Sequence, residues 1–85
     1  MAVHQKAAKA ADPKDELAAR LRLLQEVSER GVRALARDAG LSSSSLSRYL
    51  SGQTLPPWPA VVALCRLLKR DPRPLRPLWE RASNP

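Results

Sequence analysis

The residues whose types could do chemistry are concentrated between positions 42 and 51. The run Ser42-Ser43-Ser44-Ser45 leads into Leu46-Ser47-Arg48-Tyr49-Leu50-Ser51. A hydroxyl attacks only when a base beside it takes its proton. This chain holds one histidine, His4, and one cysteine, Cys65. That inventory supplies neither a triad nor a Cys/His zinc site. Neither an enzyme nor a cofactor is expected. What the run can do is bind. A serine hydroxyl both donates and accepts hydrogen bonds, and its small size permits close approach. A guanidinium fork matches the geometry of phosphate and of guanine.

The charge balance points the same way. In 85 residues, 15 Lys+Arg stand against 8 Asp+Glu, for a net charge of +7. Such an excess favours anionic partners, either nucleic acid or an acidic membrane surface. Arginine supplies 11 of the 15 cations, although Ile and Phe are absent and Ala and Leu abound, so a high-GC coding bias accounts for part of that excess. No run of about 18 apolar residues exists to span a bilayer. The opening MAVHQKAAKAADPKDE lacks the apolar core of a secretory signal. A lone cysteine fits a reducing compartment. These features predict one small domain in the cytoplasm, at the nucleoid, with no membrane partner.

Several elements must position the serine run. Residues 1–11 lack apolar periodicity and read as a flexible basic arm, in which His4, Lys6 and Lys9 could reach phosphates. Asp12-Pro13 opens a helix, since Asp caps and Pro suits the first helical position. Leu17, Leu21, Leu24 and Val27 form its apolar stripe, and Gly31 is expected to end it as a left-handed cap. A second helix runs from about Val32 to Ala39, with Val32, Leu35, Ala36 and Ala39 facing inward. Gly40 then turns the chain. On composition alone the serines look like a tether. However, Ser42 is a good N-cap, Leu46, Tyr49 and Leu50 share one face, and Gly52 suits a C-cap. These signals predict a helix over 43–51. Pro56-Pro57 marks a loop, Trp58 or Pro59 opens a fourth helix bearing Val61, Leu64, Cys65 and Leu68, and a fifth begins near Pro74 with Leu75, Leu78, Trp79 and Ala82 inside. The domain spans 12–82, and 83–85 fray. No strand pattern and no repeat is present.

Two short helices joined by a tight turn, the second outwardly polar, form a helix-turn-helix. The major groove of DNA, about 12 Å wide, admits one α-helix. The first helix of the pair lies across the backbone and props the second into the groove, N-terminus first. Free N–H groups at that end suit phosphate.

At this point the segment from Val32 to Gly52 resembles the phage repressor and Cro (XRE) helix-turn-helix family. Leu35-Ala36, Gly40, Ser42, Leu46, Leu50 and Gly52 stand at the family's spacing. The tail Gln53-Thr54-Leu55-Pro56-Pro57-Trp58 is similar to members common in high-GC bacteria, and the likeness covers about residues 14–82. The resemblance implies an all-α, five-helix, lambda-repressor-like DNA-binding domain that regulates transcription, often as a homodimer. It places Ser43, Ser44 and Arg48 at base-reading positions and Ser42 at the cap. Ser51, Gln53 and Thr54 fall at phosphate-contacting positions, and Arg33, Arg37, Ser42 and Ser47 are further candidates for phosphate contact. Some members brace the recognition helix with an arginine in the first helix paired to an acid. Those positions here are Gln25 and Leu50, so that brace is missing.

Other residues have plainer readings. Cys65 is a packed small hydrophobe, and Tyr49 and Trp79 belong to the core. Trp58 covers the core's edge, while Trp79, Leu75 and Leu78 are an alternative dimer surface. Arg66, Lys69, Arg70, Arg73 and Arg76 are either helix-end cations or a second DNA footprint. Three functions compete. One is a sequence-specific regulator of double-stranded DNA, controlled by abundance, cooperativity or a regulatory protein partner, since no ligand domain is expected. The others are a non-specific architectural protein of the nucleoid and a protein-interaction adaptor that docks an acidic partner.

Overall fold

A computed structural model describes residues 12–84. The arm over 1–11, with His4, Lys6 and Lys9, and the terminal Pro85 lie outside the described residues. Among the described residues the order is α1 (Pro13–Ser28), α2 (Val32–Ala39), α3 (Ser43–Ser51), α4 (Trp58–Leu67), a 3-10 turn (Arg73–Leu75) and α5 (Arg76–Ser83), with no strand.

The start of α1 follows from its first residues. Asp12 accepts the Lys14 amide at 3.0 Å, Pro13 occupies the first turn, and Asp15 and Glu16 complement the helix dipole. Its end differs from the sequence expectation. The left-handed residue is Glu29, at φ 58°, and not Gly31, which is extended at φ −71° and caps the start of α2. Side chains explain the shift. The Ser28 hydroxyl donates to the Gln25 carbonyl and accepts the Arg30 amide, while Gln25 Nε2 donates to the Arg30 carbonyl. This side-chain knot closes the turn before glycine is reached. Val27, expected inside, is 62% exposed, one residue before α1 ends. Ala18 takes a core place instead.

Gly40 and Gly52 adopt φ 76° and 82°, the left-handed turns that cap α2 and α3. A Cβ at Gly52 would also stand 2.9 Å from an Asp15 carboxylate oxygen. After α4 and its cap Leu68, the chain turns at Lys69, a non-glycine at φ 58°. Its Arg70 amide reaches back to the Cys65 carbonyl at 2.7 Å and its Lys69 amide to Arg66 at 3.0 Å. The prolines at 74 and 77 lack N–H donors, so the chain makes one 3-10 turn over Arg73–Leu75 before α5 begins. Ser83, expected in the tail, is the last helical residue, and its hydroxyl donates to the Glu80 carbonyl.

One core joins these elements. Leu17 and Leu21 of α1, Leu35 of α2, Leu46 of α3, and Val61 and Cys65 of α4 are fully buried, with Leu75 and Leu78 closing the far side. The helix α1 packs on α3 and α5, and α2 packs on α3 and α4. Burial pushes the Cys65 thiol above its ordinary pKa, and the Asp71 carboxylate adds to the effect. Cys65 is thus a core residue, and Leu75 and Leu78 are occupied within the chain itself.

Candidate nucleic-acid interface

The buried side of α3 is set by Leu46 and Leu50, which sink into the core, with Tyr49 partly covered. That anchoring fixes what faces outward. Ser43, Ser44, Ser47, Arg48 and Ser51 are exposed. The Ser42 hydroxyl accepts the Ser45 amide at 3.0 Å, which starts the helix and leaves its own proton available.

An open concavity of about 550 Å³ lies between the N-terminus of α2 and the exposed side of α3. Val32, Arg33, Ser43, Ser44, Ser47, Arg48 and Gln53 line it. It thereby gathers all three residues expected to read bases, together with Arg33, Ser47 and Gln53 of the expected phosphate set. Its lining contains no carboxylate. Among the described residues neither Arg33 nor Arg48 forms an ion pair. Asp38, the acid of α2, is engaged by Arg30 at 3.8 Å and Arg37 at 3.4 Å.

Two helix N-termini contribute to this surface. No side chain caps α2, and its first intrahelical bond runs from the Leu35 amide to the Gly31 carbonyl. The amides of Val32 and Arg33 therefore stand at the edge of the concavity without a helical partner. The first turn of α3 presents Ser43 and Ser44 beside them. Both helix dipoles add positive potential to a face that already carries two guanidinium groups. The signal for this in the sequence is a glycine, and not Ser, Thr, Asp or Asn, at the cap position 31.

Arg37, Ser42, Ser51 and Thr54 of the expected phosphate set do not line the concavity. Arg37 is 77% exposed outside the concavity. The Ser51 hydroxyl donates to the Arg48 carbonyl at 3.1 Å. The Gln53 and Thr54 amides both donate to that same carbonyl, at 3.1 and 3.4 Å. The C-terminal cations are divided. Arg73 pairs with Asp71 at 2.9 Å and holds that carboxyl below its ordinary pKa, chiefly through the side-chain hydrogen bond. Arg76 pairs with Glu80 at 3.0 Å and stacks on Trp58 and Trp79. Arg66, Lys69 and Arg70 are exposed.

The sequence reading leaves α3 without a brace from α1, and the structure supplies one. Arg22 Nη1 donates to the Leu50 carbonyl at 2.6 Å. A backbone acceptor stands where an acidic side chain was sought, and no residue type marks it.

Two short helices joined through the Gly40 turn, the second seated on its apolar side with serines and Arg48 facing outward, form a helix-turn-helix. Residues 16–79 match the family described as "Helix-turn-helix domain". The chain belongs to that family, in agreement with its resemblance to the repressor and Cro proteins. It is an all-helical DNA-binding domain. No curated protein and no solved structure matches the chain. No described helix is long and apolar enough to cross a membrane.

Proposed function

We propose that this protein is a sequence-specific transcriptional regulator that inserts α3 into the major groove of double-stranded DNA. One observation carries the reading. Arg33, Ser43, Ser44, Ser47, Arg48 and Gln53 converge on one open concavity whose lining holds no acid. Ser43, Ser44 and Arg48 face base edges. Arg33, Arg37, Ser42, Ser47, Ser51, Gln53 and Thr54 grip phosphates on either side. Two copies occupy half-sites about 10 bp apart, as helix-turn-helix proteins do. The protein works at the nucleoid in the cytoplasm, and its abundance, cooperativity or a partner protein supplies regulation. Binding alone is its activity, with no catalytic step.

A mobility-shift competition tests this. Complexes of a regulator on duplexes enriched from a random pool survive a large excess of random duplex. The hydroxyl-rich side of α3, with Arg48 as its one cation, favours the architectural reading as second choice. Equal competition by every duplex would establish that reading instead.

A further inference from the structure

Among the described residues, two side-chain hydrogen bonds join positions more than five apart in sequence. Both end beside the same short segment. Arg22 of α1 donates to the Leu50 carbonyl, 28 positions away, at 2.6 Å. Trp79 of α5 donates through Nε1 to the Pro56 carbonyl, 23 positions away, at 2.8 Å. Between those carbonyls run Ser51, Gly52, Gln53, Thr54 and Leu55.

This segment begins at the last residue of α3 and carries three of the residues assigned to phosphates. Its own backbone ties it only to the last turn of α3, through the Arg48 and Tyr49 carbonyls. Leu55 packs on the core and Gly52 lies against Asp15 and Ala18 of α1, and the side-chain hydrogen bonds that pin the two ends of the segment to other helices come from Arg22 and Trp79. Leu50 offers one of the C-terminal carbonyls that an α-helix cannot satisfy internally, and Arg22 supplies both the donor and a favourable cation. Pro56 is buried, so its carbonyl needs a partner. Trp79 is held in turn. Its ring centroid lies 5.8 Å from that of Trp58, and the Arg76 guanidinium sits 4.9 and 5.0 Å from the two centroids. Neither Arg22 nor Trp79 lines the concavity.

We infer that Arg22 and Trp79 are positioning residues: two posts that hold Ser51–Leu55 as a preformed rail for the DNA backbone. The inference rests on the DNA reading above. A segment fixed before binding loses less conformational freedom when phosphates arrive. The posts act on affinity through Gln53 and Thr54, and they do so on every sequence alike, because phosphates carry no base identity.

Two measurements on the whole chain test it. The first is amide hydrogen exchange without DNA, in Arg22→Met, Arg22→Lys and Trp79→Phe. The second is affinity for duplex DNA, in the same variants with and without Gln53→Ala and Thr54→Ala. Exchange at Gln53 and Thr54 is expected to quicken by about fivefold, the value of one lost hydrogen bond, while Leu35 and Leu46 keep their protection. Affinity is expected to fall by about the same factor on specific and random duplexes. Arg22→Lys, which keeps a donor, restores part of the loss. In the Gln53→Ala, Thr54→Ala background the loss disappears. Unchanged exchange at 53 and 54 overturns the inference. So does exchange raised equally throughout the domain, or an affinity loss that persists in that background. If the parent chain binds no duplex, the DNA reading itself fails, and the exchange data, taken without DNA, tell the two failures apart.

Discussion

Arg48 projects from a face otherwise made of hydroxyls, and the proposed DNA reading assigns it most of the base discrimination. A serine donates to or accepts from nearly any base, whereas a guanidinium bidentate to guanine is worth about 1–3 kcal/mol of discrimination. Replacing Arg48 by Ala is expected to flatten base preference among duplexes enriched from a random pool. Loss of affinity without loss of preference would assign Arg48 to phosphate. Gly31 allows a second test at single-residue resolution. It is extended, at φ −71° and ψ 168°, and nothing lies within 4 Å of where a Cβ would point. Asp there can cap α2, a gain of a few tenths of a kcal/mol, about the usual difference from glycine. It also sets a negative charge beside the Val32 and Arg33 amides. Gly31→Asp is therefore expected to raise the melting temperature slightly while weakening duplex binding about tenfold, since like charges face each other. Gly31→Ser should give the gain without the loss.

Element boundaries come from chemistry that is visible in the chain. Gly40, Ser42 and Gly52 bracket α3 so tightly that its limits, Ser43–Ser51, match the sequence expectation. Of the two expected starts of α4, Trp58 and Pro59, the helix takes Trp58, with Pro59 in its first turn. Where the end is made by side chains folding back, as Ser28 and Gln25 do after α1, glycine misleads: Gly31 suggests the turn that Glu29 makes. The brace on α3 was hidden for a related reason, because its acceptor is a backbone carbonyl and any residue at 50 provides one. The exposed candidates of the site were readable because Leu46 and Leu50 fix the rotation of α3. The open N-terminus of α2 gave only a negative signal. The end of α4 carries its own prediction. Lys69 is left-handed at φ 58°, where a Cβ is strained. Lys69→Gly is expected to stabilise the domain by about 0.5–1 kcal/mol in chemical denaturation, the usual relief at such a position. A loss of stability would mean that the Lys69 stem packs more usefully than its backbone conformation costs.

For the whole molecule, charge and shape must act together. With Arg33 and Arg37 as the phosphate cations of the proposed interface, counterion release is expected to make affinity fall with salt at a log–log slope of about −2 per protomer. A markedly steeper slope would bring Arg66, Lys69 and Arg70 into the footprint. The account depends above all on which side of the domain meets the duplex. Titrating the isotopically labelled chain with random-sequence duplex at low salt, and following its amide resonances, tests that directly. The account predicts that shifts gather at Val32, Arg33, Ser43, Ser44, Ser47, Arg48 and Gln53, while the surface at Leu23, Val27 and Arg70 stays still. Shifts centred on Arg66, Lys69 and Arg70, with α3 unmoved, would contradict it.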